Sequence, residues 1–127
     1  MPTAKISQQD MAHILTEHVR LDQRESWERN KGVFNPNWLW VIDNDFTKAL
    51  MEIADEVCTL GVGANTQHAV DITSCDYYYN FNKKTGYQSI DQELNIKWFK
   101  GVVVRGNLDN DVIHVRTMFP KGTLDFA

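Results

Sequence analysis

In "DFTKALMEIADEVCTLG" the residues Phe46, Ala49, Leu50, Ile53, Ala54, Val57 and Leu60 recur at the three- and four-residue spacing of one helix face. Asn44 or Asp45 is placed to cap the start, and Gly61 to close the end. After Gly61 the rhythm changes. "GVGAN" reads as a loop, and "HAVDITSCDYYYNF" is rich in β-branched and aromatic residues with a period of two. "NKKTG" reads as a turn. "YQSIDQELNIKWFKGVVVRG" holds a second strand, surest from Lys97 to Arg105, "GNLDND" reads as a loop, and "VIHVRTMFP" is a last strand stopped by Pro120. Helices first and strands after imply an α+β fold: N-terminal helices packed on one face of a C-terminal antiparallel sheet of three to five strands.

Two further helices are expected before that stripe. Ser7 followed by Asp10 makes a capping box for a helix carrying Met11, Ile14, Leu15 and Val19, with His18 on the same stripe. It can run on through "DQRESWERNKG", anchored by Trp27, to Gly32. Asn35-Pro36 suits a helix start, so "WLWVI" reads as helix, with a short buried strand as the alternative. Trp38 and Trp40 are then expected in the core.

At 127 residues the chain is read as one domain, 1–127. It contains no apolar leader and no run of 18 apolar residues, so a cytoplasmic protein without a membrane span is expected. Cys58 and Cys75 form no C-x-x-C pattern and are read as buried free thiols. The net charge of −4 argues against a protein that coats nucleic acid. It is unevenly spread: residues 1–64 hold 6 basic against 10 acidic side chains, whereas residues 97–121 hold 5 basic against 2 acidic.

That basic stretch is the last hairpin. A register with Val104 opposite Ile113, Val102 opposite Val115 and Trp98 opposite Phe119 gives one apolar face for the helices. It leaves Arg105, His114 and Arg116 together on the other face, beside Gly101. Arg holds phosphate through paired hydrogen bonds, and imidazole gives or takes a proton near neutral pH. Lys97 and Lys100 extend the basic patch, and Tyr77 and Tyr79 alternate on a neighbouring strand where they can stack bases. A solvated sheet face would have the same composition. No H-E-x-x-H occurs, and His13 and His18 stand five apart, so no helix-borne zinc site is expected, and no cofactor is implied. His68 carries no assignable role.

The closing "VRTMFP" resembles the "V-x-T-x-[FY]-P" strand of the barnase/EndoU/colicin/RelE-like ribonuclease toxin superfamily, over the last third of the chain. The resemblance implies a site on the open sheet face. There a His, basic residues and a hydroxyl promote attack of an RNA 2′-hydroxyl on the adjacent phosphate without metal. By position, His114, Arg116 and Thr117 would be catalytic, with Arg105 from the neighbouring strand. Three features depart from the pattern: the hairpin register above puts Thr117 on the core face, no catalytic Glu is well placed, and the chain is acidic where such ribonucleases are usually basic. The alternative is a non-catalytic inhibitor or immunity-type protein whose acidic helical half, with Glu17, Asp22, Glu25 and Glu28, meets a basic protein partner. It predicts an exposed Trp or Tyr among acidic residues.

Overall fold

The computed structural model describes residues 3–19, 32–69, 72–89 and 95–122. Among them the order is β1 (Thr3–Lys5), α1 (Gln8–His18), β2 (Val33–Phe34), α2 (Pro36–Ile42), α3 (Phe46–Leu60), β3 (Val62–Ala69), β4 (Ile72–Asn80), β5 (Gly86–Ser89), β6 (Ile96–Phe99), β7 (Gly101–Asp109) and β8 (Val112–Lys121). The protein is α+β, with the helices packed on one face of a five-stranded sheet ordered β1-β8-β7-β4-β3.

The helices start where their side chains can satisfy the first backbone donors. Ser7 accepts from the Asp10 N–H at 3.1 Å, Asn35 from Asn37 at 3.1 Å and Asp45 from Thr47 at 2.9 Å. "WLWVI" lies in α2. α3 buries Ala49, Leu50, Ile53, Ala54, Val57 and Cys58. These meet Val102, Val104, Ile113, Val115 and Met118 from the sheet, with Met11 and Ile14 of α1 completing the cluster. Both cysteines are buried free thiols.

Four expectations are corrected. "GVGAN" is not a loop but the start of β3, paired with β4. β1 joins the sheet parallel to β8, so the sheet is mixed rather than wholly antiparallel. Lys97–Arg105 is not one strand: β6 pairs with β5 in a second sheet, ordered β2-β5-β6, and β7 pairs with β4 and β8. Buried Thr85 pins the change of sheet, its hydroxyl 3.0 Å from the Gly101 carbonyl and 3.3 Å from the Phe99 carbonyl. Trp40 is 61% exposed instead of core, while Trp38 packs beside Phe34 and Phe81.

The register of the last hairpin also differs. β7 runs on to Asp109, and only Asn110 and Asp111 turn the chain, with Asn110 at φ 53°, a conformation Asn tolerates. Val104 therefore faces Met118 rather than Ile113, and Val102 faces Pro120 rather than Val115. Trp98 lies in the second sheet, opposite Tyr87. A β-bulge follows, because Arg105 pairs with Thr117 while Gly106 pairs with Val115, leaving Arg116 as the extra residue. Gly106 suits that bulge, because a Cβ there would collide with the His114 backbone. The bulge resets the alternation of β8. Ile113 and Val115 point to the helices, and after the bulge so does Met118, while Thr117 and Phe119 turn to the opposite face.

Candidate functional site

That opposite face forms the floor of a groove of about 490 Å³, closed on one side by α1. Arg105 comes from β7, and Thr117, Phe119 and Lys121 from β8. His13 and His18 come from α1, and Phe99 and Gln88 from the second sheet. No acidic side chain lines it among the described residues.

The two imidazoles are adjacent, with ring centroids 5.9 Å apart. His13 is exposed and His18 is only 7% exposed, so one ring is open to solvent and the other is fixed by packing. His18 Nδ1 lies 2.9 Å from the Gly32 carbonyl oxygen. A carbonyl only accepts, so Nδ1 carries the proton, and in the neutral ring the lone pair sits on Nε2. The His18 ring packs on Phe119 at 5.5 Å, and the Arg105 guanidinium lies 5.4 Å from the centre of the same ring. Phe119 thus carries a cation and an imidazole together.

Arg105 is held from the sheet. Its Nε and Nη2 donate to the Asp76 carboxylate at 2.9 and 3.1 Å. This two-point grip fixes the plane of the guanidinium and leaves three of its five donors for another acceptor. Thr117 Oγ1 is buried and has no hydrogen-bond partner among the described residues. An unpartnered buried hydroxyl costs free energy, so its place in a groove wall is informative.

The residues singled out in the sequence separate into groups. Arg105 and Thr117 pair directly and both line the groove. His114 does not join them: it is on the exposed side of β8 near the turn, 4.0 Å from Asp109. Arg116, displaced by the bulge, reaches Asp10 of α1 at 3.8 Å. His114 keeps the face of Arg105, paired with Asn107 two residues along β7, but neither it nor Arg116 lines the groove with Arg105. Tyr77 and Tyr79 share a face, but it is the helix-packed one. Burial, then neighbouring Cys75, pushes the Tyr77 phenol up from its ordinary value, and Tyr79 packs edge-on against Phe81 at 4.8 Å. Lys97 and Lys100 line a second groove of about 470 Å³ with Tyr78, Asn80, Trp98, Phe99 and Gly122. Of the acidic set, Glu17 lies on α1, and Asp22, Glu25 and Glu28 fall outside the described residues, as does Trp27. The side chain of His68 is outside them too.

His13, Phe119 and Lys121 were not read from the sequence as site residues. One signal for the bulge is there: in "VIHVRTMFP" the apolar spacing is two from Ile113 to Val115 and three from Val115 to Met118. That slip in phase marks the residue that must be absorbed. Comparison with known proteins finds no matching family model, no matching curated protein and no matching solved structure.

Proposed function

We propose that the α1–β8 groove binds an RNA phosphodiester and cleaves it by attack of the 2′-hydroxyl, without metal. The observation that carries the reading is the meeting of two imidazoles, two cations and a hydroxyl in one groove, where among the described residues the hydroxyl has no partner and no acidic side chain lines the wall. The reaction needs a base for the 2′-hydroxyl, an acid for the departing 5′-oxygen and fixed positive charge for the phosphorane.

The tautomer of His18 assigns the roles. Its Nε2 lone pair takes the proton of the 2′-hydroxyl, and the 2′-oxygen bonds to phosphorus. The P–O5′ bond then breaks, and protonated His13, on the exposed side, gives its proton to the 5′-oxygen. The products are a 2′,3′-cyclic phosphate and a 5′-hydroxyl. Arg105, oriented by Asp76, and Lys121 at the rim neutralise the non-bridging oxygens. Thr117 donates its hydroxyl proton to one of them. The "VRTMFP" resemblance points to the same class of chemistry, but with His13 and His18 in the place first given to His114.

The test is cleavage of a short RNA by the purified protein and by His13→Ala and His18→Ala variants. Each substitution is expected to lower the rate by about 10² or more. The reaction should persist in EDTA and spare a 2′-deoxy substrate. Cleavage unchanged in both variants would refute the assignment.

One observation favours the binding-protein reading. Trp40 and Val41 stand 61% and 83% exposed on α2, just before Asp43 and Asp45. An exposed aromatic anchor beside acids suits a basic protein partner. Protein that cleaves no RNA, yet binds a basic partner through Trp40, would make this the function.

A further inference from the structure

The second groove adjoins the first, with Phe99 as a wall of both. It carries Lys97, Lys100 and Trp98, and no acidic side chain lines it among the described residues. Trp98 is 42% exposed on β6, the edge strand of its sheet. Tyr87 across the ladder braces the indole edge-on at 5.1 Å, and the Lys84 ammonium lies over it at 5.1 Å. Lys97 lies 5.9 Å from the centre of the Phe99 ring. Arg105 and Lys121 of the first groove thus continue into Lys97 and Lys100 of the second, with Lys84 over the half-exposed Trp98 ring beside them.

We propose that this second groove is a subsite for single-stranded RNA, in which an unpaired base stacks on Trp98 and the adjoining phosphates lie on Lys97 and Lys100. The proposal rests on the reading that the first groove holds the scissile phosphate, since it describes the strand leaving that position. A protein chain is the less fitting occupant, because Trp98 and Phe99 each already carry a lysine ammonium and the two grooves together run as a stripe of positive charge. Phosphate charge matches the lysines, and every nucleobase has a face for the indole. A Lys–aromatic contact at an exposed site is weak, so a base displaces Lys84 from the ring and frees its ammonium for phosphate. A paired base cannot reach the Trp98 ring, so the site selects single strands.

The test uses a labelled 2′-deoxy oligonucleotide, which the proposed chemistry cannot cleave, read by anisotropy and by Trp fluorescence. Trp98→Ala is expected to weaken single-strand binding by roughly tenfold. Lys97→Ala with Lys100→Ala should lower the slope of log K against log salt by roughly 1.4. Circular dichroism on each variant confirms that it is folded. An equally long duplex should bind more weakly than the single strand. Unchanged single-strand affinity in both folded variants, or preference for the duplex, overturns the subsite. If the oligonucleotide binds through Trp98 and RNA is not cleaved, the subsite stands and the catalytic reading falls. If RNA is cleaved but the variants bind as the parent does, the reverse holds.

Discussion

Replacing Thr117 by Val should make the protein more stable and less active. Thr117 Oγ1 is buried and unpartnered among the described residues, while the Thr117 backbone stays paired with Arg105. Valine keeps the branched shape and removes only the hydroxyl. A buried polar group without a partner costs about 1–3 kcal/mol, so its removal should return at least about 1 kcal/mol. For a chain of this size that moves the melting temperature up by roughly 3–5 °C, and the urea midpoint up by about 0.5 M at unchanged slope. The same change should slow RNA cleavage by roughly tenfold or more, because a donor to the phosphorane is gone. Thr117→Ser should keep most of the activity. The assay is urea unfolding followed by tryptophan fluorescence, beside cleavage of one defined oligonucleotide. A Val variant that is less stable than the parent would refute the reasoning, because the hydroxyl would then have a partner in the folded protein.

His114→Ala should leave cleavage within about twofold of the parent, since the ring stands outside the groove near Asp109; a loss near that of a general acid or base would restore it to the site. Asp76→Asn should change the melting temperature little, because an exposed ion pair is worth under about 1 kcal/mol, yet lower kcat through a guanidinium no longer held in plane; unchanged kcat would count against Arg105. Burial foremost, then the Asp55 carboxylate, pushes the Cys58 thiol up to about 12 from 9.0. The folded state thus keeps a proton that the unfolded chain loses. Stability should fall as pH rises through about 9 towards 12, less steeply in Cys58→Ala, and thermal melts across that range check it.

The helices were legible because their signals are local. Ser7, Asn35 and Asp45 each cap a helix within two or three residues, and the α3 stripe repeats within its own length. The switch of period after α3 likewise sufficed for α+β. Register is a different kind of information. The last hairpin depends on one absorbed residue, Arg116, and each side chain of β8 beyond it changes face as a result. Matching Val104 to Ile113 was locally reasonable, but the short Asn110–Asp111 turn and the Val115-to-Met118 spacing decide otherwise. The candidate site shared this fate. Arg105 and Thr117 stayed on its list, whereas His114 gave way to His13 and His18, which lie about a hundred residues away in sequence. Only the fold brings α1 against β8, and no spacing rule reports such a meeting. The sharing of Lys97 to Arg105 between two sheets was hidden in the same way, since Thr85 pins the break from a distant turn.

The central claim is that His13 and His18 move the protons of a metal-independent transesterification. Its most direct test is the chemistry of the ends left on one RNA of defined sequence, read by mass spectrometry in the presence of EDTA. The account predicts a 2′,3′-cyclic phosphate paired with a 5′-hydroxyl from the parent protein, and neither from the double variant His13→Ala, His18→Ala. A 5′-phosphate end, or the same cyclic product at the parent rate from the double variant, would contradict it.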